Sequence, residues 1–76
     1  MTLKEWTDVF GDTLADLLED RNMSQLELAR YSGISVGSIS AYLNKQSLPG
    51  IKAILNIACA LDVDVNELID FGDTID

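Results

Sequence analysis

Apolar residues recur along this chain at three- and four-residue intervals, and no stretch alternates as a half-buried strand would. Trp6, Val9, Phe10, Leu14, Leu17 and Leu18, with Thr13 among them, hold that spacing over three turns and predict a first helix from about Leu3. Thr2, three residues ahead of Glu5, supplies a capping box for it. Ser24 and Glu27 repeat the device at a second helix, whose apolar stripe is Leu28 and Ala29. Gly33 ends that helix where the chain must stop winding and take positive φ. Ile34 plugs the turn, Ser35 caps a third helix, and Ile39, Tyr42 and Leu43 give that helix its periodicity. From Ile51 to Leu61 almost every position is apolar except Lys52 and Asn56, which are four apart and share a face. This predicts a fourth helix, N-capped by Gly50 and nearly encircled by other elements. Asp64 with Glu67 opens a fifth, carrying Val65, Leu68 and Ile69.

The segment from Ser24 to Leu43 reads SQLELARYSGISVGSISAYL, two short helices hinged at Gly33. It combines Ser24, Gln25, Glu27, Leu28 and Ala29 with Gly33, Ser35 and the run Ser38 to Ser40. Pro49 and the ALDVDVNEL run from Ala60 follow. In that order these residues resemble the phage Cro/repressor-like helix-turn-helix family, also called the XRE family, from about residue 11 to 68. The resemblance implies an all-α, five-helix lambda-repressor-like domain. Its helix-turn-helix, formed by helices two and three, covers about residues 24–43, within a single domain of residues 1–76. It also implies double-stranded DNA as the partner, with helix three in the major groove and helix two crossing the backbone. Carried over by motif position, Gln25 binds a phosphate or a base edge at the start of helix two. Ser35, Val36, Gly37, Ser38 and Ala41 face the groove, Asn44 and Lys45 reach the flanking backbone, and Ile39 and Tyr42 belong to the core side.

Three departures from the family change that picture. Helix three carries no Arg, Lys, Gln or Asn before Asn44, so it lacks the side chains that make bidentate base contacts. Val36 and Ala41 can touch thymine methyls and the serines can make single hydrogen bonds, which points to low or shape-based specificity. Leu43 stands where the family usually has Glu, and Lys45 where Gly is common, so the loop after helix three is expected to differ.

Charge weighs against a nucleic-acid ligand at first sight, because the formal net charge is −8 and phosphate neutralisation dominates affinity. Its distribution reverses part of that argument. Residues 1–20 hold one lysine against six acids, and residues 62–76 hold six acids and no base. The middle, residues 21–61, holds Arg21, Arg30, Lys45 and Lys52 against Glu27 alone. Exposed charges farther off than a Debye length of about 8 Å are largely screened. A weakly basic face on an acidic body results. A chain of 76 residues buries only roughly 60% of its unfolded surface, so stability is modest unless it dimerises. A homodimer is expected, with Phe71 and Ile75 or the Trp6 end of helix one as its interface.

The remaining chemistry is thin. With no His and one Cys, structural zinc is not expected, and Cys59 can form no internal disulfide. Asp62, Asp64, Asn66 and Asp73 fall at the first, third, fifth and twelfth positions of a calcium loop. The sixth position, however, is Glu67 where such a loop needs Gly, and VNELI reads as helix. No cofactor and no enzymatic activity are expected. The N-terminus lacks a signal-peptide pattern and no apolar run spans a bilayer, which gives no membrane association and a cytoplasmic location. The expected function is sequence-specific DNA binding by a transcriptional regulator, most simply a repressor. The alternative is a protein-interaction module of the same fold, antitoxin-like or polymerase-binding, that uses its acidic faces. The acid ladder of Asp8, Asp12, Asp16, Glu19 and Asp20 would be that docking surface.

Overall fold

A computed structural model of the chain describes residues 2–69. They form five α-helices, α1 (Leu3–Asp20), α2 (Gln25–Ser32), α3 (Val36–Leu43), α4 (Ile51–Leu61) and α5 (Val65–Leu68), with no strand among the described residues. Phe71 and Ile75, expected at a dimer interface, and Asp73 lie outside the described residues.

The helix starts follow the capping signals. Glu5 N–H donates to Thr2 Oγ1 at 3.2 Å while Thr2 N–H donates to Glu5 Oε1 at 2.9 Å. Ser24 and Glu27 form the same reciprocal pair at 3.1 and 2.9 Å, and Asp64 N–H donates to Glu67 Oε2 at 3.2 Å. Each pairing satisfies backbone donors that a helix start leaves orphaned. Gly33 ends α2 at φ 75°, with its N–H on the Ala29 carbonyl. A Cβ at Gly33 would meet open space, so the requirement there is conformational and not steric.

Two capping pairs, Thr2 with Glu5 and Ser24 with Glu27, carry a pH signature. The Ser24 N–H, with its hydroxyl and Arg30 adding to it, holds the Glu27 carboxyl below the ordinary glutamate value. A group depressed in the folded state contributes stability that is fully present above its unfolded pKa and lost as pH falls through the folded one. Glu27→Gln keeps an acceptor oxygen but cannot titrate. Chemical denaturation across the carboxylate range is therefore expected to show a flatter acid limb for Glu27→Gln than for the parent. Equal slopes would show that this carboxylate bears none of the pH dependence.

The core is built from Phe10, Leu14 and Leu18 of α1, Leu28 of α2, Ile39 of α3, Ile57, Ala58 and Leu61 of α4, and Leu68 of α5. Phe10 also meets Tyr42 edge to face, with ring centroids 6.1 Å apart at 84°. Leu43, which replaces the family's Glu, is half-buried and packs against this core. Gly11 lets α1 approach α3 closely. A Cβ there would lie 3.0 Å from the Tyr42 carbonyl oxygen and 2.9 Å from Lys45 Cγ. At the far end of α1, Arg21 Nε donates to the Leu61 carbonyl at 2.9 Å and so caps the C-terminus of α4.

Helix α4 corrects one expectation. It is not encircled: Ile51 is 79% exposed, Leu55 50%, and Cys59 is also exposed. These positions are four apart and form one stripe, because α4 has only α2 and α5 as its main neighbours and neither covers that side. Cys59 is accordingly a surface thiol and no core residue. Trp6, about one turn before Phe10, and Val9, directly before it, are half-buried on α1.

Candidate nucleic-acid interface

Ile39 and its neighbours fix which side of α3 faces outward. Ile39 is fully buried, and Ile34 and Tyr42 pack against the core beside it. Helical spacing then turns the remaining positions to the surface. Ser35, Val36, Gly37 and Asn44 are exposed, and Ser38 and Ala41 are half-exposed. Gln25, at the first turn of α2, is exposed as well. The residues expected to meet DNA from α3 thus share one uncovered edge.

Hydrogen bonds polarise the N-terminal end of this edge. Ser35 Oγ accepts from the Ser38 N–H at 3.2 Å and donates its own hydrogen to Ser38 Oγ at 3.0 Å. The two hydroxyls thus pair with each other at the start of α3. Ser32 Oγ accepts from the Ile34 N–H at 3.2 Å and braces the turn from within. At the other end Asn44 Nδ2 donates to Ser40 Oγ at 3.2 Å. Small methyls, hydroxyls and one amide make up the whole lining, a surface that can lie close to base edges without a bidentate donor.

Lys45, expected to reach the flanking DNA backbone, is engaged within the protein. Its backbone takes φ 63°, the conformation that the family's Gly adopts easily and a lysine adopts rarely. The side-chain stem then lies over Gly11 and brings Nζ to 2.8 Å from Asp12 Oδ1. Hydrogen bonding and attraction from Asp12, followed by attraction from Asp8, raise the ammonium above its ordinary value. By the sign of that shift the pairing is complete below the unfolded lysine pKa and is lost only as pH rises through the folded one. Of the four bases in the middle segment, Arg21 caps α4 and Lys45 holds Asp12. Arg30 of α2 and Lys52 of α4 have no carboxylate within ion-pair distance among the described residues. Sequence reasoning passed over Lys52, which stands exposed on the first turn of α4 directly after the loop that follows α3. The signal that could have found it is the absence of any acid from Leu28 to Leu61, which leaves Lys52 with no acid near it in the sequence.

A capped helix, a glycine turn and a second, uncovered helix in an acid-free stretch define a helix-turn-helix DNA-binding domain. The helix-turn-helix family matches residues 14–68, and the chain belongs to it, within the Cro/repressor-like or XRE group. In general terms it is a DNA-binding transcription regulator, and the family is regulatory and not enzymatic. The matched region starts at Leu14, slightly inside the expected start near Gly11. Among the curated proteins and among the solved structures, none matches the chain. Among the described residues no helix is long and apolar enough to cross a membrane, and no group of three or more His, Cys, Asp or Glu is placed to hold a metal.

Proposed function

We propose that the protein is a cytoplasmic repressor that lays α3 in the major groove of double-stranded DNA and binds as a homodimer. The observation that carries this reading is the uncovered edge of Ser35, Val36, Gly37, Ser38 and Ala41 within an acid-free stretch. Such an edge carries no carboxylate of its own to be desolvated or to repel phosphates. Gln25 contacts the backbone from the start of α2, and Asn44 and Lys45 take the phosphates beyond the C-terminus of α3. Two-fold pairing supports the reading energetically: one small module with few phosphate contacts binds weakly, whereas two linked copies engage half-sites about 34 Å apart.

Selection of bound duplexes from a random pool, run at two salt concentrations, tests this directly. The expected outcome is an enriched two-fold-symmetric or shape-defined duplex, with affinity that falls steeply as salt rises. Gln25→Ala is expected to weaken duplex binding by roughly tenfold, the worth of one hydrogen bond to a charged group. Lys45→Ala is expected to weaken binding across all sequences and to make the salt dependence shallower. Both variants should melt at close to the parent temperature, since both side chains are exposed. Failure to retain any duplex at low salt would overturn the function. Capture of a basic protein partner, lost when Asp16 is neutralised, would favour the interaction module instead.

A further inference from the structure

The Asp12–Lys45 pair lies between α1 and the end of the proposed reading helix, and three independent features build it. Gly11 leaves the space in which the lysine stem lies. Lys45 holds a left-handed backbone that aims the stem toward α1. The carboxylate then receives Nζ at 2.8 Å. A surface ion pair assembled by chance has none of these constraints on its stem.

We propose that Asp12 is an intramolecular competitor for the DNA phosphate, which holds Lys45 back and thereby lowers the affinity and flattens the salt dependence of duplex binding. The inference rests on the DNA-binding role of Lys45 proposed above. To meet a phosphate, the ammonium must leave a carboxylate that already neutralises it. A free lysine that neutralises a phosphate releases a condensed counterion outright. For Lys45 the gain is partly cancelled, because the Asp12 carboxylate left behind takes up a cation from solution. The pair's side chains are 39% and 69% exposed, so the restraint is a modest one. Its effect is therefore graded, a tuning of non-specific affinity and not an on-off switch. It also accounts for an acid on the face of α1 nearest the reading helix in a protein that must approach a polyanion.

Asp12→Asn keeps the size and hydrogen-bonding capacity of the side chain while it removes the competing charge. Asp16→Asn, one turn further along α1 and without an ion pair to Lys45, changes the net charge by the same amount and serves as the control. Binding to a fixed duplex, followed across a salt series, is expected to be about three- to fivefold tighter for Asp12→Asn than for Asp16→Asn, as befits one released surface pair. Its salt slope should steepen by up to about 0.9, the worth of one additional phosphate neutralised. In a Lys45→Met background, which keeps the stem over Gly11, both differences should vanish. Equal affinities and slopes for the two neutral variants would overturn the inference, as would a gain that persists without Lys45. Weaker binding by Asp12→Asn would overturn it too, by showing that Asp12 presents the lysine to the phosphate. If the parent and every variant fail to hold duplex at low salt, the DNA-binding reading itself falls. Parent binding with no distinction between Asp12 and Asp16 sinks only the competition.

Discussion

Ser38→Glu is expected to weaken duplex binding on the order of a hundredfold while the domain stays folded and its third helix becomes better capped. Four helices here begin with an oxygen-bearing N-cap, namely Thr2, Ser24, Ser35 and Asp64. Three of them place a glutamate three residues on, and in each the carboxylate reaches back to the N-cap N–H. Helix α3 alone has Ser38 at that position, where a hydroxyl pair with Ser35 takes the place of the box. Local helix energetics favour glutamate there, both for the second hydrogen bond and for the helix dipole. What opposes it is the surroundings proposed for this end of α3. A carboxylate at the first turn would sit among phosphates and repel them, at a cost of about 3 kcal/mol or on the order of a hundredfold in affinity. Thermal melts should show Ser38→Glu at or slightly above the parent, by a few tenths of a kcal/mol. Duplex titration should show binding on the order of a hundredfold weaker than the parent's. Retained affinity with raised stability would mean that the start of α3 faces no DNA, and major-groove docking would have to be abandoned.

The parts of this molecule that were legible in its sequence are those governed by residues three or four apart. Thr2 with Glu5, Ser24 with Glu27, and Gly33 announced their caps and turn because a cap is a local hydrogen-bonding problem with a local answer. The exposed edge of α3 followed in the same way, once Ile39 and Tyr42 were assigned inward. Helix α4 was misjudged for a complementary reason. An apolar run tells that a helix can be buried all round, but not whether the domain has enough neighbours to bury it, and only α2 and α5 cover most of this one. The fate of the bases was likewise hidden. Arg21 finds the Leu61 carbonyl and Lys45 finds Asp12 only after the chain has folded, so counting charges by segment overstated how many cations remain free for a phosphate. Lys45 where the family has Gly looked like a disturbance of the loop. The structure keeps the left-handed backbone that Gly would provide, and the added side chain gains a partner on α1.

Ile39→Ala is expected to cost the most stability of any single change in α3, because Ile39 is that helix's one buried residue and is fully enclosed. Its side chain belongs to the same core as Phe10, Leu14 and Leu28, where truncation leaves a cavity as well as losing transfer free energy. The loss should be about 2–5 kcal/mol. A domain of this length has only roughly 4–11 kcal/mol in total, and each kcal/mol moves its melting temperature by about 4–8 °C. Ile51→Ala removes the same atoms from a side chain that is 79% exposed, and should stay within about 0.5 kcal/mol of the parent. Calorimetry of the pair separates burial from composition: a melting point at least about 8 °C below the parent's is expected for Ile39→Ala. Equal melting points would mean that α3 is not held by this contact. Saturating duplex gives the comparison a functional arm. A ligand that binds only the folded state at a hundred times its Kd restores about 2.7 kcal/mol, so DNA should recover much of the thermal transition lost in Ile39→Ala. The same duplex should stabilise Ser38→Glu by only about 0.4 kcal/mol, because a hundredfold weaker contact leaves it near its own Kd. Unequal responses of two adjacent positions, Ser38 and Ile39, to one ligand would tie the outward edge of α3 to binding and its inward edge to folding.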